Sequence, residues 1–141
     1  MAKPRRRSLE HLEQVALIQW WALQHKRFGL PEFALFAIPN GGHRHPAVAG
    51  KLKAEGVRAG ILDLMLAVPV PGKHGLFIEM KAGKNRPSPE QSAIGAYLQS
   101  ERYEVVLCYS FAEAMTAILT YLGVRAEPRP FSSIQAYPVR Q

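Results

Sequence analysis

Residues 61–81 read ILDLMLAVPVPGKHGLFIEMK, and the fold turns on this stretch. Ile61 to Val68 is an apolar run interrupted by one charge, Asp63. Pro69 to Gly75 holds two prolines and two glycines, which marks it as a loop. Leu76 to Lys81 is a second short, mostly apolar run. Two such runs joined by turn residues predict a β-hairpin. Side chains alternate faces along a strand, so Phe77, Glu79 and Lys81 share one face, and Ile78 and Met80 the other. A carboxylate in an apolar strand is costly unless it is paired, ligated or facing water at the strand end. On paired strands, Asp63, Glu79 and Lys81 can meet in space.

Working upstream, Ser8 is placed as the N-cap of a helix running to about Arg27. Leu12, Val15, Ala16, Leu23 and the pair Trp20–Trp21 supply its apolar surface. Phe33 to Ile38 reads as a short buried strand, ended by the turn Pro39-Asn40-Gly41-Gly42. Pro46 to Glu55 predicts a second helix, with Pro46 in its first turn and Gly56 just past its end. Downstream, Ser88, Pro89 and Gln91 fit a capping box that opens a helix to about Ser100. Glu104 to Tyr109 predicts a fourth strand. Ser110 and Glu113 repeat the capping pattern before a helix to Leu122, with Gly123 as its stop. The order predicts an α/β fold: a mixed central sheet of about four strands flanked by helices. Residues 1–8 read as a flexible basic arm, 9–123 as the domain, and 124–141, with three prolines, as a C-terminal tail.

The 141 residues, 48% of them hydrophobic, suffice for one domain with one buried core. No apolar run approaches the ~20 residues of a membrane span. The basic N-terminus is not followed by the unbroken apolar segment of a secretory signal. A soluble, cytoplasmic protein with no membrane partner is the expectation. One cysteine, Cys108, excludes an internal disulfide framework and a Cys-rich zinc site; in an apolar strand it reads as a small core residue. The net charge of +7 favours a polyanionic partner. Part of that charge sits at Arg5, Arg6, Arg7, Arg125, Arg129 and Arg140.

The trio in the hairpin suits phosphodiester hydrolysis. Hard oxygen ligands from Asp63 and Glu79 can hold Mg²⁺, which keeps waters and contacts phosphate oxygens. A bound metal polarises the phosphate and lowers the pKa of its water. Lys81, two residues from Glu79, can face the same water and the developing negative charge. The plain alternative is a cross-strand salt bridge at a sheet edge, because an E-x-K tripeptide is common.

Further motifs stand around the trio in a fixed order. They are Glu13-Gln14; Ile38-Pro39-Asn40-Gly41-Gly42 with Arg44; and Leu52 to Gly60, reading LKAEGVRAG. Asp63-Leu64, then His74 to Lys81, then Ser88-Pro89-Glu90-Gln91 follow. Together they resemble the VRR-NUC family of the PD-(D/E)xK nuclease superfamily, over about residues 9 to 122. The resemblance implies a restriction-endonuclease-like core and DNA cleavage dependent on Mg²⁺ or Mn²⁺, with no small-molecule cofactor. Stand-alone members, often from phages and bacteria, look like homodimers acting on branched DNA such as four-way (Holliday) junctions. By the same resemblance Asp63 and Glu79 are metal-binding carboxylates, the Met80 backbone carbonyl a further ligand, and Lys81 the catalytic lysine. Glu13 matches the first-helix glutamate that completes the metal site or binds its waters. Glu10, one turn earlier, competes for that role, and a solvated helix face is the alternative for either. Gln91 matches a helix glutamine near the lysine. The chain departs from the pattern at Leu62, where the family usually has proline, and at Glu101-Arg102-Tyr103, where glycine is common.

Asn40, Gly41 and Gly42 form a turn whose backbone N–H groups can approach a phosphate, or simply end a strand. His43, Arg44 and His45 point to phosphate contact or solvent rather than zinc. Lys51, Lys53 and Arg58 can line a DNA path, or form an ordinary solvated face. Trp20 and Trp21 read as core or dimer interface. Three competing functions remain: a DNA-binding module without cleavage, a nuclease acting on flaps or linear duplex, and an enzyme reading a base sequence.

Overall fold

A computed structural model describes residues 6–40 and 45–123. The expectations for residues 1–5, for Gly41, Gly42, His43 and Arg44, and for 124–141 lie outside the described residues. In chain order the elements are α1 (Arg6–Gln24), β1 (Leu35–Ala37), α2 (Pro46–Ala54), β2 (Leu64–Leu66), β3 (Leu76–Met80), α3 (Pro89–Ser100), β4 (Glu104–Cys108) and α4 (Phe111–Gly123). Two short 3-10 turns, His25–Phe28 and Glu32–Ala34, join α1 to β1. The sheet order is β1-β2-β3-β4. β2 runs antiparallel to both β1 and β3, and β3 runs parallel to β4. The hairpin, the mixed four-strand sheet and the flanking helices are those the sequence predicts.

All five residues of β3 are buried, as a central strand covered on both faces requires. Leu76, Ile78 and Met80 share the main core with Leu17 and Trp21 of α1 and Ala114 and Ile118 of α4, each at most 2% exposed. Complete burial of one such Leu or Ile side chain contributes roughly 1.5–3 kcal/mol over leaving it in water. Phe77 and Glu79 alternate to the other face, on the side where α3 packs along β4. There Phe77 meets Tyr103 edge to face, with ring centres 5.3 Å apart.

The structure corrects several boundaries. α1 already includes Ser8, so Ser8 is not its N-cap. α1 ends at Gln24 and tightens into the 3-10 turn, which Gly29 closes at φ 65°, its N–H donating to the Lys26 carbonyl at 3.0 Å. The chain that follows is pinned: the Trp21 indole N–H donates to the Glu32 carbonyl, and His25 Nδ1–H to the Leu30 carbonyl, both at 2.7 Å. β1 is shorter than predicted and lies at the sheet edge. Pro31 starts a 3-10 turn, leaving Phe33 77% exposed rather than buried. β2 is also short, because Pro39 limits its partner on one side and Val68 N–H turns back to the Leu66 carbonyl on the other. Asp63 therefore sits just before β2.

The capping box of α3 is complete. Ser88 Oγ accepts from the Gln91 N–H at 3.1 Å, and Gln91 Oε1 accepts from the Ser88 N–H at 2.9 Å. α4 uses half of the predicted pattern. Ser110 Oγ accepts from the Glu113 N–H at 3.1 Å, while the Glu113 carboxylate takes the N–H of Tyr109 rather than that of Ser110. Trp21 stacks on Phe28 and is core; Trp20 packs partly buried against Phe111. Cys108 is buried in the core, and burial, then the nearby Glu113, pushes its thiol up to about 11.

Candidate active site

The register of the hairpin sets the site. Leu64 pairs with Ile78, so one step beyond the ladder Asp63 comes opposite Glu79. Asp63 Oδ2 accepts the Met80 N–H at 2.7 Å, and Oδ1 accepts the Asn40 side-chain amide at 3.2 Å. Glu79 is 4% exposed. Its Oε1 accepts the Gln91 amide at 2.5 Å and lies 3.1 Å from Lys81 Nζ. Among the described residues its Oε2 is buried with no hydrogen-bond partner. The Gln91 amide can face only one way. Its oxygen is committed to Ser88, so its NH₂ group turns to Glu79, and one side chain both caps α3 and holds the acid.

Burial, with the Asp63 charge second, pushes Glu79 up to about 7; Lys81 pulls in the opposite direction. Asp63 is also raised, mainly by burial, with Glu10 adding to the shift. The Met80 N–H and Lys81 oppose it. A buried and a half-buried carboxyl side by side disfavour joint ionisation, and one lysine offsets only part of that cost.

A positive ion would offset the remainder. Among the described residues no three His, Cys, Asp or Glu side chains cluster as a ready metal cage. The donors fit a hard cation that keeps much of its water shell: two adjacent carboxylates, one with an unpartnered buried oxygen.

The structure brings together Asp63, Glu79, Lys81 and Gln91. Met80 contributes backbone alone, because its side chain is buried in the main core. Glu13 is not brought there. Its carboxylate accepts the Phe111 N–H and caps α4. Glu10 is the α1 acid on the site side: its Oε1 accepts the Ala82 N–H at 3.0 Å, one residue past Lys81. This is a correction to the expectation for Glu13, and its cause is the path of α1, which carries residue 13 to the start of α4. Lys51, Lys53 and Arg58 are exposed on and after α2. His45 caps α2, its Nδ1 accepting from the Ala47 N–H. The Asn40 side chain was not expected on Asp63; the only sequence signal was its place after Pro39 at a strand end.

A mixed four-strand sheet with two acids and a lysine gathered where its hairpin strands end is the core of a restriction-endonuclease-like nuclease. The VRR-NUC domain family matches residues 9–112, and the chain belongs to that family. The chain is also similar to a solved "VRR_NUC domain protein", at 26% identity and a TM-score of 0.67, over 88% of this chain and 93% of that one. No curated protein shows a significant match.

Proposed function

We propose that this nuclease domain is a Mg²⁺- or Mn²⁺-dependent endodeoxyribonuclease that hydrolyses branched DNA, such as four-way junctions, as a homodimer. The observation that carries the metal dependence is the buried, unpartnered Glu79 Oε2 beside a second carboxylate. Asp63, Glu79, the Met80 carbonyl and the Glu10 carboxylate are the oxygens that would hold the ion. A divalent cation bound there supplies Lewis-acid polarisation of the phosphate and a more acidic water.

Hydrolysis joins a water oxygen to phosphorus and breaks the bond to the 3′ oxygen. Lys81 Nζ, half-anchored by Glu79, donates to the negative charge that builds on the phosphoryl oxygens. Gln91 keeps Glu79 in place for this. Lys51, Lys53 and Arg58, with Gly41, Gly42 and Arg44, supply the DNA path. The branched substrate and the dimer follow from the likeness to stand-alone family members. Two symmetric cuts need two sites, and a two-fold assembly provides them.

Fluorescent linear, flap and four-way DNA, each incubated with Mg²⁺, Mn²⁺ or EDTA, tests the proposal. Cleavage is expected only with metal and fastest on the junction. Asp63→Ala and Lys81→Ala should fold and cut at least about 100-fold more slowly. Near-wild-type cutting by Glu79→Ala overturns the assignment, and shifted but uncut DNA in Mg²⁺ makes the protein a binding module. Light scattering should show a dimer; a monomer redirects the substrate to flaps or nicked duplex.

A further inference from the structure

Asn40 stands outside the acid–acid–lysine set, yet its side chain reaches it. The Ile38 N–H closes on the Asp63 carbonyl at 2.8 Å, a backbone link one step past the β1–β2 ladder. Pro39 follows, with a fixed φ that also keeps Ile38 extended. Asn40 is thereby delivered to the side-chain end of the same aspartate, and its Nδ2 donates to Oδ1 at 3.2 Å. The other oxygen, Oδ2, is held by the Met80 N–H at 2.7 Å.

Asp63 has two rotatable side-chain bonds, and holding both oxygens from different segments fixes them. The Asn40 clamp is also neutral. An amide orients the carboxylate without cancelling its charge, as a lysine or arginine at position 40 would. Glu79 is treated alike: the neutral Gln91 amide holds Oε1 and leaves the buried Oε2 without a partner among the described residues. Each acid thus receives one side-chain amide N–H, Glu79 from Gln91 in the first turn of α3 and Asp63 from Asn40, two residues past the Ile38–Asp63 backbone bond.

We propose that Asn40 is a positioning residue for Asp63, acting on metal affinity rather than on DNA contact. This rests on the metal-dependent reading of the site given above. Loss of such an outer hydrogen bond weakens metal binding by about 10–100-fold.

Mn²⁺ alone is titrated calorimetrically into metal-free wild type, Asn40→Ala and Asn40→Leu. Leucine keeps the shape without the donor, so a folded variant remains if alanine leaves a gap. In parallel, affinity for a fluorescent four-way junction is measured in EDTA, and cleavage is followed against Mg²⁺ concentration. Both variants are expected to bind Mn²⁺ at least about ten-fold more weakly, with DNA affinity in EDTA unchanged. The half-saturating Mg²⁺ concentration should rise while the rate at saturating Mg²⁺ stays near wild type. Wild-type Mn²⁺ affinity in a folded variant overturns the proposal. So does lost DNA affinity with Mn²⁺ binding intact, which makes Asn40 a DNA contact. Failure of the wild type itself to bind Mn²⁺ overturns the underlying metal site as well.

Discussion

Glu79 is costly to the metal-free protein. In the unfolded chain it titrates at 4.5; folded, burial and the neighbouring Asp63 hold it near 7. Between those values the folded state binds more protons than the unfolded one, so stability falls as pH rises through that window. Each pKa unit corresponds to about 1.4 kcal/mol, which sets a ceiling of roughly 3 kcal/mol on the effect. Melting in EDTA should therefore occur at a lower temperature at about pH 8 than at about pH 5. Glu79→Gln should flatten that dependence, stabilise the metal-free protein at the higher pH and abolish cleavage. A metal-free wild type that gains stability between those two pH values would contradict this. Asp63, Glu79 and Lys81 were legible from sequence because strand alternation is strict and a charge in an apolar run is conspicuous. The bond from Asn40 was not, since it joins residues 23 positions apart and no periodicity records it.

At the scale of the element, the instructive case is α1. Glu10 and Glu13 lie three residues apart and so share a helix face, which leaves sequence unable to choose between them. The choice is made by what each end of the face meets. Glu13 meets the first turn of α4, whose N–H groups have no intrahelical partners and whose dipole favours an anion. Glu10 meets the Ala82 N–H beside Lys81. Glu13→Ala should then lower stability to denaturant by about 0.5–2 kcal/mol, as loss of a cap does, and leave Mn²⁺ affinity unchanged. Glu10→Ala should show the reverse, with Mn²⁺ affinity and cleavage reduced about ten-fold or more. If the two phenotypes are exchanged, the placement of α1 is wrong. The same contrast explains which element ends could be read in advance. The start of α3 is written in adjacent residues, Ser88 to Gln91, which bond to each other. The ends of β1 and β2 depend on partners elsewhere in the chain, so their own residues overstate their length.

For the molecule as a whole, charge and topology act together. α2 buries none of its residues, and Lys51, Lys53 and Arg58 stand exposed on it and just beyond. The chain then runs through Gly60 to Asp63. At Gly60 a Cβ would come within 2.6 Å of Glu90 Cβ, and φ is +83°, so only glycine lets this connection pass the first turn of α3. The proposed DNA-binding cations and the acid pair are therefore joined by a short, tightly seated segment, and the net charge of +7 adds a long-range attraction for phosphate. Bonds to the phosphate backbone position a nucleic acid but carry no sequence information directly. Replacing Lys51, Lys53 and Arg58 together by alanine should weaken binding to linear, flap and four-way DNA alike. The slope of log affinity against log salt should fall by about 3, one for each phosphate that is no longer neutralised. Mn²⁺ binding should be untouched, because none of the three cations bonds to Asp63 or Glu79. A loss confined to the four-way junction would mean that this surface itself discriminates branched DNA. An equal loss on all three substrates leaves selectivity to the spacing of two acid pairs in the proposed dimer, where a symmetric junction would meet both at once.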